Sequence, residues 1–438
     1  MPTVTVSERY LVMCDAGNNN NKYYRMHPNG DTFTVDYGRV GAGAQHATYP
    51  ISQFSTKYNE KIRKGYQDVT DVRSELVPQT NMSGKSKQDT STEFSDITDA
   101  GVRELVRELQ AYAVKTLRAN YRVSSMEVTQ RMVDAVSGYL RELDMLLAQY
   151  RKLTTNQATM SDIPRQFDAM LQQRVFTTIP RVMSHVDAFI IAGNVNLNDQ
   201  EATAVRMARI IDNERSLLDI MRTKVVQNTV TAKTPNDSTA TLKALGLEIT
   251  PCTDKDIALI RKELGSVAPR LCGAWCVKNI RTHEAFEKFK RDHRGSYQRF
   301  PSKLLWHGSR NENWWSIINS GLKLSPQNAV ITGKMFGRGI YFAPKAQKSV
   351  GYTSVPDAYW NNCHASNGFL ALYATAYGKA WDVDTNREFT SQFDWNDLQR
   401  KCPGAHCVHA HAGKSLRNDE IIFYNESQCT IKYIVKIK

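Results

Sequence analysis

Two apolar segments in the last third of the chain carry a polar side chain at one end. In LLWHGSR, His307 ends a strand-like run and is followed by Gly308 and Ser309. An imidazole at a strand end can meet a ligand while the strand stays buried, and a glycine has no Cβ to keep a ligand away from the main chain. In EIIFYN, Glu420 begins a second apolar run. Because a lone His is more often a core or surface residue, the residue types alone leave ligand binding open.

The basic residues are concentrated around the first of these segments. The chain has 57 Lys or Arg against 44 Asp or Glu, a formal net charge of +13. Between residues 261 and 348 there are 17 Lys or Arg and five Asp or Glu, so this part carries nearly all of the excess. It also contains two glycine-rich turns, at 333–334 and 337–339. We expect it to bind an anion, although a solvated basic face explains the same composition.

One segment, CPGAHCVHAH, combines residue types that ligate metals. Cys402, His406, Cys407, His409 and His411 lie within ten residues. The spacing matches no common zinc finger, and alternating His residues in a loop or exposed strand explain it equally well. We therefore expect no metal. The eight cysteines include no CxxC pair, which favours reduced thiols and a reducing compartment.

The length, composition and periodicity of the sequence predict the domains and elements that must position these residues. A chain of 438 residues predicts two to four domains, and 41% hydrophobic with 23% charged residues is typical of a soluble globular protein. There is no basic leader and no run of about 20 apolar residues, so we expect an intracellular protein with no membrane partner. Polar segments at 79–96 and 229–239 predict two linkers and three blocks.

The three blocks differ in periodicity. The first has alternating segments around Asn29-Gly30, which predicts a hairpin. The second is helical, with Thr98 and Asp99 placed to cap a helix whose apolar residues repeat at i, i+3, i+4 and i+7. Those residues are Val102, Leu105, Val106 and Leu109. The third block mixes strands and helices and ends in the alternating segment TIKYIVKIK.

Three segments of the third block carry a resemblance to a known family. LLWHGSR, TGKMFGRGIYFAPKAQKSVGY and NDEIIFYNESQCTIKYIVKIK resemble the catalytic domain of the poly(ADP-ribose) polymerases, which are diphtheria-toxin-like ADP-ribosyltransferases. The resemblance covers most of 240–438, although 380–419 diverges. DYGRVG resembles the family's WGR domain, and RVFTTIPRV with RMARIIDNERSLLDIM resembles part of its helical regulatory domain.

The resemblance implies a multidomain α+β protein. We expect a small β-rich WGR-like domain at 1–78, an α-helical bundle at 97–228, and a mixed α+β ADP-ribosyltransferase domain at 240–438. The last domain should contain a split antiparallel sheet. The two predicted linkers, 79–96 and 229–239, separate these parts.

The same resemblance implies that NAD+ is the substrate and assigns residues that bind it. His307 would hydrogen-bond the adenosine ribose, and the main chain of Gly308 would meet the nicotinamide carboxamide. Ser309 would contact the ribose or adenine-side groups. Ser349 would donate to the carboxamide oxygen, and Tyr352 would stack on the nicotinamide ring.

The residues implied to act on the reacting ribose form a second group. Tyr341 would pack against the nicotinamide ribose, Lys348 would lie at the catalytic edge, and Arg338 would belong to a basic loop over the dinucleotide. Glu420 would hydrogen-bond the ribose 2′-OH and stabilise positive charge as the nicotinamide bond breaks. Asp419 should point to the opposite face of the strand. A glutamate at 420 favours the polymer-forming subclass.

The first block implies a nucleic-acid partner. Tyr37 stands where the family's WGR domain has tryptophan, and Arg39 keeps the arginine, so both are expected to contact DNA ends or nicks, or RNA. Protein acceptors, including the chain itself, are the other expected partners, and the helical domain is expected to restrain the enzyme until nucleic acid binds. The location would be nuclear in a eukaryote and otherwise cytoplasmic. A mono-ADP-ribosyltransferase, or a nucleic-acid-binding scaffold with an inactive transferase domain, are the alternatives.

Overall fold

The computed structural model describes residues 4–15, 20–40, 42–73, 89–153, 157–182, 199–232, 240–324, 335–358 and 365–438. These form two compact units, each built from two stretches of chain. The first unit contains Met1–Thr90 and Val114–Asn228, and the second contains Ser91–Ala113 and Thr229–Lys438. The predicted glycine-rich turn at 333–334 lies outside the described residues.

The first unit contains a five-stranded antiparallel sheet, in the order β4-β3-β2-β1-β5. Its strands are β1 (Arg9–Asp15), β2 (Asn20–Asn29), β3 (Thr32–Arg39), β4 (Gln45–Pro50) and β5 (Gln67–Asp68). The predicted hairpin is confirmed, since Asn29 pairs with Thr32 and Gly30 has a φ of +59°, which glycine adopts without steric cost. The core on this sheet includes Leu11, Met26, Phe33, Val35 and Phe54.

The helices of the N-terminal half include the one predicted from the repeat of Val102, Leu105, Val106 and Leu109. They are α1 (Phe54–Arg63), α2 (Thr70–Arg73), α3 (Ala100–Asn120), α4 (Gln130–Lys152), α5 (Gln157–Met170), α6 (Phe176–Thr178) and α7 (Gln200–Ala232). Asp99 Oδ1 accepts a hydrogen bond from the main-chain N–H of Val102 at 2.8 Å, so the predicted cap of α3 is present. The apolar stripe of α4 is buried and consists of Met132, Val136, Leu140, Leu143 and Leu147.

Residues 91–113, which begin the predicted helical domain, pack within the second unit. The ring of Phe94 lies 5.9 Å from that of Trp315. Glu108 Oε2 lies 2.7 Å from Lys436 Nζ, and Glu108 Oε1 accepts from Asn367 Nδ2 at 3.1 Å. The compact units therefore divide the chain differently from the sequence blocks, whose borders stay predictions.

The second unit contains two sheets, which confirms the predicted split sheet. Its strands are β6 (Leu247–Pro251), β7 (Leu271–Asn279), β8 (Lys303–Gly308), β9 (Ile340–Phe342), β10 (Gly368–Thr375), β11 (Ala380–Val383), β12 (Cys407–Ala410), β13 (Glu420–Phe423) and β14 (Cys429–Ile437). One sheet has the order β6-β7-β14-β10-β8 and the other β11-β12-β13-β9. All their pairings are antiparallel except that of β11 with β12, which is parallel.

The two sheets of this unit are joined where β8 meets β9. Trp306 N donates to Ala343 O, and Ala343 N donates to Trp306 O, both at 2.9 Å. In the part of this unit that the structure describes, five further helices accompany the sheets: α8 (Asp254–Leu264), α9 (Ile280–Asp292), α10 (Trp314–Ser320), α11 (Ala346–Val350) and α12 (Trp395–Lys401). Among the helices that the structure describes, none has the length and hydropathy needed to span a bilayer.

Candidate active site

His307 is oriented at the end of β8 by a hydrogen bond from its ring. Its Nδ1 lies 3.0 Å from the main-chain oxygen of Tyr341. A carbonyl oxygen only accepts, so Nδ1 carries a proton, and in the neutral ring Nε2 is then the acceptor. The rings of Trp314, Phe342 and Tyr373 surround the imidazole edge-on, with centroids 6.3, 5.7 and 6.2 Å away. A neutral His307 can therefore accept a hydrogen bond from a hydroxyl group.

Gly308 allows close packing between β8 and α11. A Cβ at this position would lie 2.0 Å from the main-chain oxygen of Ser349, which is buried. The next residue, Ser309, is fixed on both sides: its Oγ accepts from Asn313 Nδ2 at 3.1 Å, and its main-chain oxygen accepts from the Trp314 indole at 3.2 Å. The structure thus brings Gly308 and Ser349 together, and any larger residue at 308 would displace α11.

Tyr341, in β9, closes the turn that precedes its own strand. Its hydroxyl donates to Gly337 O at 2.8 Å and accepts from Phe336 N at 3.0 Å. The main-chain N–H of Arg338 donates to Phe393 O at 3.0 Å, which ties the same turn to the loop before α12. Tyr341 and Arg338 are therefore held on one anchored turn beside β9.

Glu420 and Lys348 form an ion pair. Glu420 Oε1 lies 2.5 Å from Lys348 Nζ, and the side chains are 11% and 14% exposed. Lys348 Nζ also donates to Asn418 O at 3.1 Å. Glu420 is the first residue of β13 and is paired with Ala410 of β12. The pairing of these two strands therefore fixes the position of the Glu420 main chain, from which the side chain extends. A carboxylate held in this way can stabilise positive charge on a bound ligand.

Glu420 lies close to both tyrosines that the sequence singled out. Burial raises the pKa of Tyr341, and the negative charge of Glu420 raises it further. The pKa of Tyr352 is raised by the same two causes, although the residue is 41% exposed and its ring can stack on a ligand. The structure thus brings together Glu420, Lys348, Tyr341 and Tyr352, and it joins His307 to them through the main chain of Tyr341.

Comparison with known proteins finds two family domains, one in each half of the chain. The family model described as the poly(ADP-ribose) polymerase catalytic domain matches residues 261–438, and that of the WGR domain matches residues 7–73. The chain is also 34% identical, over 139 residues, to the poly [ADP-ribose] polymerase-like protein 100L of Invertebrate iridescent virus 6. That match covers 31% of the chain and 71% of the viral protein. The chain belongs to the poly(ADP-ribose) polymerase family.

Longer relatives in the poly(ADP-ribose) polymerase family match different shares of the chain. "Poly [ADP-ribose] polymerase 2" of Zea mays is 25% identical over 419 residues, which cover 89% of the chain and 60% of the maize protein. "Poly [ADP-ribose] polymerase 1" of Xenopus laevis is 33% identical over 199 residues, 37% of the chain and 19% of that protein. The chain thus spans less than two thirds of either relative's length.

In the WGR domain, Tyr37 and Arg39 lie two residues apart on β3 and so on the same face of that strand. Arg39 is exposed and stands opposite Lys22 of β2, which places two basic residues side by side. The ring of Tyr37 lies 6.0 Å from that of Tyr24, and Lys61 Nζ lies 4.2 Å from the Tyr24 ring centroid. This arrangement suits a polyanion, and the contact of Tyr37 and Arg39 with nucleic acid stays a prediction.

The Cys and His residues of 402–411 do not gather at one point in the structure. Cys402 packs in the apolar cluster around the second sheet, whereas His406 and Cys407 hydrogen-bond main-chain groups between β10 and β11. His409 and His411 lie together next to Asp382. No sequence signal identified Asp382, because only the parallel pairing of β11 with β12 brings it opposite His409.

Proposed function

We propose that the chain transfers ADP-ribose from NAD+ to proteins, including itself, releases nicotinamide, and extends the product into a polymer. The supporting observation is the Glu420 carboxylate, which Lys348 holds at 2.5 Å. It stands beside Tyr341 and Tyr352, in a domain of the poly(ADP-ribose) polymerase family.

Each residue of the site has a part in the proposed transfer. The bond between nicotinamide and ribose breaks, nicotinamide leaves with the bonding electrons, and positive charge develops on the ribose. Glu420 stabilises that charge and hydrogen-bonds the 2′-OH. Because the site holds the ribose and Glu420 in a fixed geometry, less entropy is lost on reaching the transition state. An acceptor hydroxyl then forms the new bond to the ribose and gives its proton to Glu420 or to solvent.

The binding of NAD+ would use the groups around this carboxylate. The acceptor nitrogen of His307 fits the hydroxyls of the adenosine ribose, and the exposed ring of Tyr352 fits the face of nicotinamide. An offset aromatic pair contributes about 0.5–1.5 kcal/mol beyond burial. The main chain of Gly308 and the hydroxyl of Ser349 would hold the carboxamide, which is supported by the close packing of Gly308 against the main chain of Ser349.

The proposed activator is a DNA end or nick that binds the WGR domain. The support is the side-by-side placement of Arg39 and Lys22 and the aromatic Tyr37 on the same strand. Phosphate contacts by basic residues make such binding depend strongly on salt. We further propose that the helices of residues 97–228 restrain NAD+ turnover until DNA binds, because a low-stability helical element can act as a switch.

Incubation of the chain with labelled NAD+, with and without nicked DNA, followed by a denaturing gel, tests the proposal. A ladder supports polymer formation, a single added unit supports the mono-ADP-ribosyltransferase, and no labelling supports an inactive scaffold. Glu420→Gln should abolish the ladder. Glu426→Gln is the matched control, because it removes another Lys-paired carboxylate of the same unit, 2.9 Å from Lys323, outside the proposed site.

A further inference from the structure

Two imidazole rings lie side by side between two carboxylates at one edge of the second sheet. His409, in β12, and His411, just after it, are two residues apart, so they project from the same face. Their ring centroids are 4.0 Å apart and the planes differ by 32°. Asp382 of β11 stands opposite His409 in the parallel pair, and Asp419 precedes β13. The proposed transfer reaction uses none of these four side chains.

The two carboxylates contact opposite nitrogens of the two rings. Asp382 Oδ1 lies 2.8 Å from Nε2 of His411 and 3.6 Å from Nδ1 of His409. Asp419 Oδ2 lies 3.2 Å from Nε2 of His409 and 3.7 Å from Nδ1 of His411. Each ring therefore presents one nitrogen to Asp382 and the other to Asp419.

The Asp382 side has the dimensions of a metal site. One ligand atom from each of Asp382, His409 and His411 lies within 4.8 Å of the other two. With bonds of about 2.0–2.1 Å, the ligands of a tetrahedral zinc ion stand about 3.3 Å apart. The separations of Asp382 Oδ1 from the two ring nitrogens, 2.8 and 3.6 Å, bracket that value. Asp382 and His411 are 63% and 41% exposed, so an ion could enter from solvent.

The Asp419 side has the geometry of the groups that orient metal-bound imidazoles. A histidine that binds a metal commonly donates its other ring N–H to a carboxylate, which fixes the ring and its tautomer. Asp419 is itself anchored, because its Oδ1 accepts from Ala412 N at 2.8 Å. With a proton on Nε2 toward Asp419, the neutral His409 has its lone pair on Nδ1, on the side of Asp382.

We propose that Asp382, His409 and His411 bind a divalent transition-metal ion of the zinc type, with Asp419 as the positioning residue and water completing the coordination. Two imidazoles and one carboxylate favour Zn²⁺, Co²⁺ or Ni²⁺ over Mg²⁺ and Ca²⁺, which prefer all-oxygen sites. The ion replaces the hydrogen bond between His411 Nε2 and Asp382, and the ring proton of His411 moves to Nδ1, which faces Asp419. At His409 it displaces the hydroxyl of Tyr377, now 3.0 Å from Nδ1.

Zinc titration of the reduced, chelator-treated full chain, followed by calorimetry and by metal analysis after dialysis, tests the site. We expect one ion per chain and a rise in thermal stability with Zn²⁺. His411→Gln and the pair His409→Ala with His411→Gln should lose the ion, while their metal-free unfolding temperatures stay near that of the unsubstituted chain. Asp419→Asn should keep the stoichiometry and weaken affinity about 10–100-fold, as expected for an orienting carboxylate.

His46→Ala is the matched control, because it removes another exposed His–Asp pair, 2.7 Å from Asp36, in the first unit. This variant should bind Zn²⁺ as the unsubstituted chain does. Co²⁺ supplies a second readout, since a site of nitrogen and oxygen ligands gives visible bands without the thiolate charge-transfer band of a cysteine site. Retention of the ion in the double His variant, its loss in His46→Ala, a thiolate band, or no binding at all would each overturn the proposal. None of these readouts depends on ADP-ribose transfer.

Discussion

Arg181 and Glu214 form a buried ion pair in the first unit, so removing Arg181 alone should destabilise that unit. Arg181 Nη2 lies 3.1 Å from Glu214 Oε1, with the side chains only 3% and 8% exposed. Arg181 Nη1 also donates to Asn120 O at 3.0 Å, and its guanidinium lies 4.7 Å from the ring centroid of Tyr121. Leaving one buried charge without its partner costs about 3–5 kcal/mol. We expect Arg181→Met to lower the free energy of unfolding by that amount at neutral pH.

The loss of stability in Arg181→Met should depend on pH in a defined direction. Burial raises the pKa of Glu214, and the Arg181 charge opposes that shift. Without Arg181 the pKa rises further, so the native state holds a proton that the unfolded chain has released. The variant should therefore be least stable above the raised pKa, and it should regain stability as the pH falls toward the ordinary glutamate pKa of 4.5.

Calorimetry of the full chain measures this change. All seven tryptophans lie in residues 275–395, so tryptophan fluorescence separately follows the second unit. Arg181→Met with Glu214→Leu is the control, because replacing both partners by apolar residues is often neutral or stabilising. An unchanged single variant, or a double variant as unstable as the single one, would refute the reasoning. If the helices restrain the transferase, Arg181→Met should also raise NAD+ turnover without DNA.

Three further predictions concern the two proposed ligand-binding regions. Gly308→Ala should destabilise the second unit by about 1–3 kcal/mol, measured by tryptophan fluorescence during unfolding, because its Cβ would lie 2.0 Å from Ser349 O. Lys348→Met should lower kcat for nicotinamide release about 100-fold, because Glu420 loses the partner that holds it; an unchanged kcat would contradict that role. Tyr37→Ala should weaken binding of nicked DNA by about 1–3 kcal/mol in fluorescence anisotropy, whereas Tyr37→Trp should strengthen it.

Much of the fold followed from local sequence signals. Asn29-Gly30 predicted its hairpin because few residues other than glycine adopt positive φ, and the capping residue Asp99 predicted the start of α3. Periodicity shows which face of a helix is apolar but not what covers it. For that reason the packing of residues 91–113 within the second unit, through Phe94 and Glu108, could not be predicted.

The candidate site was predicted residue by residue but not as a set of contacts. Resemblance pointed to Glu420 and Lys348 separately, and only the fold shows that they form an ion pair across 72 positions of sequence. No sequence signal pointed to Asp382 as a neighbour of His409. The two residues meet because β11 pairs with β12 in parallel, and a short parallel pairing leaves no local sequence pattern that shows which two strands pair. Side-chain chemistry was thus readable from the sequence, whereas long-range strand pairing was not.

The two main-chain hydrogen bonds between Trp306 and Ala343 link the two sheets of the second unit. His307 follows Trp306 on one side of this link, and Glu420 belongs to the sheet on the other side, through the pairing of β13 with β9. A dinucleotide that touches both side chains would therefore clamp the two sheets together. Amide exchange at residues 306 and 343 should slow when such a ligand binds, because each of these amides donates a hydrogen bond between the two sheets.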